Sequence, residues 1–351
     1  MSQVKFREVL AKLPAYVAGK GDGHKTVKLS SNELPFLTAP QIIQAGQYAL
    51  KDANRYPSAT GAGLVEKLAS RYQLPNNQVV VGPGSIQVLA SALTAVAQSG
   101  KNVVYGWRSF EAYPILVGIT GASSRQIPLT AQGRHDLDAM KAAVDGDTAA
   151  VILCSPNNPT GTSLTEKEVR DFLAEIPPSV LVVLDEAYFE FDTLKGHVDG
   201  AALLAEFSNL LVLRTFSKAY GLAGLRCGYG LASQEIAEAI LKVSTPFALS
   251  AVAEACAVAA LADEQKMRCQ VQEIIQERER VVSRLREAGW NIQDSGGNFI
   301  WFPGKVSEKI LAAALAQGIQ TRAFPEGVRV TIGSRQENDQ FLAAIKQVEP
   351  G

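Results

Sequence analysis

Residues 210–226 read LLVLRTFSKAYGLAGLR, an apolar run of strand type followed by a loop rich in hydroxyl groups and glycines. The loop begins where a buried strand is expected to end, and in α/β sheets ligands bind at that edge. It places Lys218 among small residues, with Arg226 eight residues further on. A lysine amine there can form a Schiff base with a carbonyl group, and an arginine can bind an anion with two parallel hydrogen bonds. A solvated loop with ordinary charges is the alternative, and the segment alone leaves both interpretations open.

The composition shows no charge imbalance that would indicate a charged partner. The chain has 351 residues, more than one hydrophobic core usually serves, so two domains are expected. Lysine and arginine total 34 against 35 aspartates and glutamates, a net charge of -1, which favours neither nucleic acid nor an anionic membrane as partner. The four cysteines have no CxxC spacing, which argues against a disulfide framework or a zinc site. We therefore expect small-molecule ligands, no metal, no nucleic acid and no membrane.

The termini and the apolar stretches indicate a cytoplasmic protein. Residues 1–8 lack the apolar core of a signal peptide. The most apolar long stretch, residues 246–262, is rich in alanine and includes Glu254, which disfavours a membrane span. We expect this stretch to form a buried helix.

Apolar runs alternate with helical patterns along the middle of the chain, which is typical of a parallel sheet with helices on both faces. The strand-like runs are residues 78–81, 102–105, 124–129, 149–153, 180–184 and 210–213. The helical patterns are residues 84–97, 136–144 and 165–176. Thr165 and Glu168 have the spacing of a capping box. The pattern predicts an α/β fold with one large doubly wound domain.

The pattern changes after residue 262. Helices are predicted over residues 264–288, 307–317 and 337–348, and strands over residues 298–302 and 328–332. This order is typical of a smaller α+β domain. We predict a large domain over residues 40–250, and a small domain of residues 251–351 together with the N-terminal arm, residues 1–39.

Three further segments follow predicted strands. Asp185 comes directly after the apolar run 180–184, where a buried carboxylate needs a cationic partner. Residues 155–161, SPNNPTG, predict a rigid turn that presents asparagine amides. Residues 82–85, GPGS, precede a helix and offer an anion site at its N-terminus. Each motif alone is also common as a plain cap, turn or helix entry, but their joint order at one sheet edge indicates a single cleft.

The set of motifs resembles the pyridoxal 5'-phosphate (PLP)-dependent aminotransferases of fold type I, and within them the histidinol-phosphate and aromatic aminotransferase group. The resemblance covers nearly the whole chain. It is carried by Tyr56-Pro57, Gly84-Ser85, Asn158-Pro159-Thr160-Gly161, Asp185-Glu186-Ala187-Tyr188, Thr215-Phe216-Ser217-Lys218 and Arg226. It implies a large, mostly parallel doubly wound sheet domain, a smaller α+β domain and PLP as cofactor.

The resemblance also implies roles for individual residues. Lys218 would bind PLP covalently and move a proton at the substrate α-carbon, and Asp185 would keep the ring nitrogen protonated. Asn158 and Tyr188 would donate hydrogen bonds to the phenolic oxygen, so that Lys218, Asp185 and Tyr188 form the catalytic set. The other cofactor contacts implied are Gly84, Ser85, Ile86, Phe110, Thr215, Ser217 and Arg226. Phe110 would stack on the ring, where many relatives carry tyrosine.

Tyr56 matches a tyrosine that in this family reaches the cofactor phosphate of the neighbouring subunit, which implies a homodimer. Arg329 matches the arginine that binds the substrate α-carboxylate. The other substrate contacts implied are Tyr16, Asn32, Phe247 and Arg322. Tyr16 and Phe247 have plain packing as their alternative, and an arginine near Arg322 serves the substrate phosphate in the histidinol-phosphate branch.

The departures from the histidinol-phosphate pattern favour an aromatic substrate. Ile86 suits a phenyl ring better than a phosphate-bearing side chain, and residues 107–114 resemble the phenylalanine-type branch of actinobacterial enzymes. We predict transamination between an aromatic L-amino acid, phenylalanine or tyrosine, and 2-oxoglutarate, giving an aromatic 2-oxo acid and L-glutamate. Histidinol-phosphate transamination remains the alternative through Arg322. The sequence does not rank phenylalanine, tyrosine and tryptophan.

Other functional classes fit the sequence less well. PLP-dependent decarboxylation shares the same framework and would release carbon dioxide. A PLP-binding regulator would add a basic DNA-binding module, and the N-terminal residues show no helix-turn-helix pattern. A dinucleotide-binding fold is disfavoured because no GxGxxG follows an early strand.

Overall fold

The computed structural model describes residues 4–11, 13 and 27–350. The strands in these ranges are β1 (Val27–Lys28), β2 (Val79–Gly82), β3 (Asn102–Trp107), β4 (Ser123–Pro128), β5 (Thr148–Cys154), β6 (Leu181–Asp185), β7 (Leu210–Thr215), β8 (Gly228–Ala232), β9 (Phe299–Pro303), β10 (Ile319–Gln320), β11 (Arg322–Phe324) and β12 (Gly327–Thr331). The α-helices are α1 (Pro40–Ala49), α2 (Ala62–Tyr72), α3 (Ser85–Val96), α4 (Tyr113–Thr120), α5 (Leu137–Ala142), α6 (Glu166–Glu175), α7 (Gln234–Val243), α8 (Ala251–Ala262), α9 (Glu264–Glu287), α10 (Val306–Ala316) and α11 (Arg335–Ala344).

A seven-stranded sheet forms the centre of the molecule, in the order β2-β8-β7-β6-β5-β3-β4. Strand β8 pairs antiparallel with both of its neighbours, and the other pairs are parallel. The carboxyl ends of β2 to β7 therefore meet at one edge of the sheet. The mostly parallel α/β sheet expected from the sequence is confirmed.

The central strands are buried on both faces, which explains their uninterrupted apolar sequences. Along β6, Val182 and Leu184 pack into one cluster of core residues, while Leu181 and Val183 pack into a second cluster across the sheet. The sequence of such a strand does not alternate between polar and apolar residues. It can therefore be predicted only from its apolar composition and from the turn residues on either side.

Strands β2 to β7 and helices α3, α5 and α6 confirm the elements predicted for the middle of the chain. The capping box at the start of α6 is present, because the Thr165 hydroxyl accepts from the Glu168 amide and the Glu168 carboxylate accepts from the Thr165 amide. The helix predicted from residue 246 was wrong at its start, since α8 begins at Ala251. Phe247 has a positive φ of 59°, which a helix does not accommodate, and the Ser250 hydroxyl caps α8 by accepting from the Ala253 amide.

The last third of the chain forms an antiparallel sheet in the order β11-β12-β9, with α9, α10 and α11 around it. In this sheet Arg322 on β11 lies directly opposite Arg329 on β12. Opposite residues of an antiparallel pair project to the same face, so both arginines emerge side by side. The segment after β1 runs alongside β12, because the Thr331 amide donates to the Leu29 carbonyl at 2.9 Å.

Helix α8, although late in the sequence, packs against the early helices α1 and α2. The division into domains at residues 39/40 and 250/251 stays a prediction. None of the helices in the described ranges is long and apolar enough to span a membrane.

Candidate active site

A cavity of about 530 Å³ lies where the carboxyl ends of the parallel strands face the β11-β12-β9 sheet. Most of the side chains singled out in the sequence line it. These are Gly84, Ser85, Ile86, Phe110, Asn158, Asp185, Tyr188, Thr215, Ser217, Lys218, Arg226, Arg322 and Arg329. The structure thus brings strand-end residues from the large sheet together with two arginines from the small one.

Lys218 lies in the cavity with its Nζ atom held by main-chain carbonyls. Nζ donates to the carbonyl oxygens of Ser31 at 3.0 Å and Asn32 at 3.2 Å. Burial, reinforced by the positive charge of Arg329, lowers the pKa of Lys218 to about 7. A substantial fraction of the amine is therefore neutral, and hence nucleophilic, near neutral pH.

Asp185 ends β6 at the floor of the cavity. Its Oδ2 atom accepts a 2.6 Å hydrogen bond from the Tyr113 hydroxyl, whereas its buried Oδ1 atom has no hydrogen-bond partner among the described residues. Burial raises the pKa of the Asp185 carboxyl, and the bond from Tyr113 opposes that shift. An unpartnered buried carboxylate oxygen is costly, so this atom is poised for a cationic donor from a ligand.

Tyr188 lines the cavity and is held from behind by Asn32. The Asn32 amide donates from Nδ2 to the Tyr188 hydroxyl at 2.9 Å, and its Oδ1 accepts from the Thr331 hydroxyl at 3.0 Å. Burial raises the pKa of Tyr188 to about 12, so the hydroxyl keeps its proton and can donate it in a hydrogen bond. Asn32 is fully buried and does not line the cavity, so its contacts position Tyr188.

Arg329 reaches the cavity from β12 and is held by polar partners from two other segments. Its Nη1 atom donates to Asn158 Oδ1, and its Nη2 atom donates to the Ser30 carbonyl at 2.7 Å. The side chain is buried, which strengthens its interaction with any anion that enters. Asn158 uses its oxygen for Arg329, so its amide nitrogen is the group it can offer to a ligand.

An anion site is formed at the N-terminus of α3. Gly84 precedes the helix with a positive φ of 80° and has no side chain to cap it, so amides of the first turn can bind an anion. The positive φ favours glycine at this position, and a Cβ atom there would lie 2.8 Å from Nη2 of Arg226 and displace that side chain. Arg226 also donates to the Ser217 hydroxyl at 3.2 Å. Helix amides, Ser217 and Arg226 together suit a phosphate group.

The remaining lining includes apolar side chains and one ion pair. Ile86 and Phe110 are among the apolar side chains, and the Phe110 ring packs edge-on against Tyr113 at 5.6 Å between centroids. In the ion pair Arg322 donates to Glu111 Oε2, from Nη2 at 2.7 Å and from Nε at 3.2 Å. The charge of Arg322 is thus balanced inside the cavity.

Besides Asn32, three predicted residues do not line the cavity or fall outside the described part of the chain. Tyr56 is exposed, and its ring lies 5.0 Å from the ring of Phe247, which is also exposed. Neither side chain lines the cavity formed by this chain. Tyr16 lies outside the described residues.

Sequence reasoning missed Tyr113 and Glu111. Tyr113 is fully buried at the start of α4, within the apolar run 112–117. A tyrosine in such an apolar run needs a hydrogen-bond partner for its hydroxyl, and this requirement could have pointed to a polar contact of Tyr113. No neighbouring residue indicated a role for Glu111, because its partner Arg322 is 211 residues away in the sequence.

The residues that line the cavity fit PLP in four respects. The unpartnered Oδ1 of Asp185 suits a protonated pyridine nitrogen, the neutral fraction of Lys218 suits an aldehyde, and the N-terminus of α3 suits a phosphate. Tyr188 offers a hydroxyl to the phenolic oxygen. No group of three or more histidine, cysteine, aspartate or glutamate side chains in the described ranges could hold a metal ion.

Comparisons with known proteins agree with this geometry. Residues 24–345 match the family model described as aminotransferase class I and II. A protein named aromatic amino acid aminotransferase from Cutibacterium acnes is 42% identical over 353 residues, covering 100% of both chains. Another of that name from Thermobifida fusca is 44% identical over 346 residues, covering 97% of this chain and 96% of the relative.

Solved structures show the same fold. The crystal structure of histidinol-phosphate aminotransferase from Sinorhizobium meliloti in complex with pyridoxal-5'-phosphate superposes with a TM-score of 0.90 at 28% identity. The match covers 99% of this chain and 98% of that one. Fold type I, expected from the motifs, is thereby confirmed.

Proposed function

Because the chain belongs to the class I and II aminotransferase family, we propose that it transfers the amino group of an aromatic L-amino acid to 2-oxoglutarate, with PLP as its cofactor. The products would be an aromatic 2-oxo acid and L-glutamate. One observation carries the substrate class: the cavity that holds Lys218 is lined by apolar side chains that include Ile86 and Phe110, and the charge of Arg322 is already balanced by Glu111. The actinobacterial relatives support the same class by their names.

When bound, PLP supplies an aldehyde that takes up the amino group and a ring that accepts electrons. Lys218 would form the covalent attachment and carry the proton between the substrate α-carbon and its acceptor, since its lowered pKa lets it both accept and release a proton near neutral pH. The carbonyls of Ser31 and Asn32 hold its Nζ atom in place while it is free.

Asp185 would hold a proton on the ring nitrogen through its unpartnered Oδ1 atom. The Tyr113 hydroxyl fixes the orientation of that carboxylate from the other side. Tyr188 and the amide nitrogen of Asn158 would donate to the phenolic oxygen. These groups are preorganised in a site sheltered from water, where their charges act more strongly than in bulk solvent.

Arg329 would bind the substrate α-carboxylate, because it is a buried guanidinium whose neighbours Asn158 and Ser30 fix its direction. The first turn of α3, with Ser85, Thr215, Ser217 and Arg226, would bind the cofactor phosphate. Phe110 would pack on the cofactor ring.

We further propose a homodimer in which Tyr56 completes the phosphate site of the partner subunit. Its exposure, together with that of Phe247, is consistent with a contact surface on this side of the molecule. A cytoplasmic location belongs to the same proposal and is supported by four cysteines that form no disulfide.

Histidinol phosphate is the second candidate substrate, because Arg322 lines the cavity and could bind a phosphate once released from Glu111.

A panel of single-turnover reactions separates the candidates. PLP-loaded protein is mixed with phenylalanine, tyrosine or L-histidinol phosphate, and the 2-oxo or carbonyl product and released carbon dioxide are measured. We expect phenylpyruvate from phenylalanine and no carbon dioxide. Reaction with histidinol phosphate alone would refute the aromatic assignment, and carbon dioxide release would indicate a decarboxylase.

A further inference from the structure

We propose that Glu111 is a specificity-determining residue, which masks the charge of Arg322 inside the cavity and so raises the preference for an aromatic side chain relative to the anionic side chain of 2-oxoglutarate and L-glutamate, which the same site also accepts. This inference rests on the proposed transamination and adds the residue that sets its charge preference.

The first observation is the position of the pair. Glu111 follows β3, Arg322 begins β11, and both side chains line the cavity that contains Lys218. The carboxylate receives two hydrogen bonds from the guanidinium, at 2.7 and 3.2 Å. The side chains are 17% exposed for Arg322 and 31% for Glu111, so solvent screens the pair only in part.

The second observation is the place of Arg322 beside Arg329. The two arginines lie directly opposite each other on β11 and β12. Directly opposite Cβ atoms are about 5 Å apart, and both side chains leave the same face of the sheet. A substrate whose α-carboxylate is bound by Arg329 therefore lies within reach of Arg322.

The charges of the cavity explain the preference. Arg226 lies at the anion site of α3, and Arg329 is the residue proposed for the α-carboxylate, which leaves Arg322 among the arginines lining the cavity to meet a second anion on the substrate side chain. Such an anion must displace the Glu111 carboxylate or lie next to it. Like charges that share a poorly solvated site repel each other strongly, whereas an aromatic side chain leaves the pair undisturbed.

The chain offers a matched control in a second ion pair between the same two segments. Arg108 donates to Glu326 from Nε and from Nη2, each at 2.9 Å. Neither residue lines the cavity. Glu326→Gln therefore removes a carboxylate that links the loop after β3 to the β11–β12 turn, without changing the charge that a substrate meets.

The test compares PLP-loaded wild type, Glu111→Gln and Glu326→Gln. Specificity constants are measured for phenylalanine and L-glutamate, and dissociation constants for glutarate and 3-phenylpropanoate by calorimetry. In Glu111→Gln we expect the ratio of the specificity constant for glutamate to that for phenylalanine to rise about tenfold, because the masking carboxylate is gone. The ratio of the affinity for glutarate to that for 3-phenylpropanoate should rise by the same factor. In Glu326→Gln both ratios should stay within about twofold of wild type, because this carboxylate does not line the cavity.

Arg322→Gln tests the same ion pair from its other partner if Glu111→Gln folds poorly. Arg322→Gln leaves Glu111 uncompensated in the cavity, so glutarate should bind about tenfold more weakly while 3-phenylpropanoate is much less affected. Unchanged ratios in either folded variant would overturn the role of Glu111. A wild type that fails to transaminate phenylalanine would instead refute the proposed function, so the two failures are distinguishable.

Discussion

The Tyr113 hydroxyl donates a 2.6 Å hydrogen bond to Oδ2 of Asp185, and both groups are buried beneath the cavity. The bond satisfies one carboxylate oxygen and leaves Oδ1 for a ligand. It also stabilises the ionised carboxylate, because it opposes the rise in the pKa of Asp185 caused by burial. Tyr113 is therefore a positioning residue for the acid that the proposed chemistry needs ionised.

Replacing Tyr113 by phenylalanine should raise the pKa of Asp185 further, because a donor to its charged form is lost. We expect kcat for phenylalanine to fall about tenfold, the usual range for a hydrogen bond to a charged group. The acid limb of the pH profile of kcat should move to higher pH. Tyr105→Phe is the matched control, since Tyr105 is equally buried nearby but does not bond to Asp185. An unmoved acid limb would refute the positioning role.

Asp185→Asn should impair the chemistry more than cofactor retention. An amide cannot offset the charge of a protonated ring nitrogen, so we expect kcat to fall by about a hundredfold or more. The dissociation constant for PLP, measured by fluorescence titration, should change much less, because Lys218 and the α3 anion site remain. Asp192→Asn serves as control for a buried aspartate outside the cavity. Loss of PLP binding in proportion to activity would contradict this assignment.

The reaction of Lys218 with PLP should depend on pH near neutrality. The pKa of Lys218 is lowered to about 7, so the amine is charged below that pH and neutral above it. The rate at which the apoprotein incorporates PLP should therefore rise through about pH 7 and then level off. Arg329→Gln removes a nearby cation, which raises the pKa of Lys218 and moves the midpoint to higher pH. Arg322→Gln, whose charge is already balanced by Glu111, should move it less, and equal shifts would show that Arg329 has no special effect.

Tyr56→Phe should weaken PLP binding if Tyr56 completes the partner's phosphate site. We expect the dissociation constant to rise about tenfold, the value of a hydrogen bond to a charged group. Tyr48→Phe is a suitable control, because Tyr48 is also exposed but lies on α1. Light scattering should give a particle of two chains of 37.5 kDa. A monomer with full PLP affinity would refute the proposed subunit contact.

Much of the site was predictable because strand ends converge in a parallel sheet. The apolar runs of β5, β6 and β7 each lead directly into site residues, so Asn158, Asp185 and Lys218 could be grouped from their order alone. The alternation of strands and helices likewise predicted the large sheet.

Strands and ion pairs whose partners lie far away in the sequence were not predictable from local sequence patterns. Strand β8 contains Gly228 and Gly230, which have low β-propensity, and its pairing with β2 and β7 stabilises it. The short strands β1 and β10 pair across nearly the whole chain. The Glu111–Arg322 pair similarly joins residues that no local pattern connects.

Transamination of phenylalanine by this protein is tested most directly by following labelled nitrogen from phenylalanine to 2-oxoglutarate. PLP-loaded wild type and Lys218→Ala are incubated with nitrogen-labelled L-phenylalanine and 2-oxoglutarate, and glutamate and phenylpyruvate are quantified by mass spectrometry. We expect labelled glutamate and phenylpyruvate in equal amounts with the wild type, and neither product with Lys218→Ala. Turnover retained in Lys218→Ala, or a wild type that leaves phenylalanine unchanged, would contradict the proposed transamination.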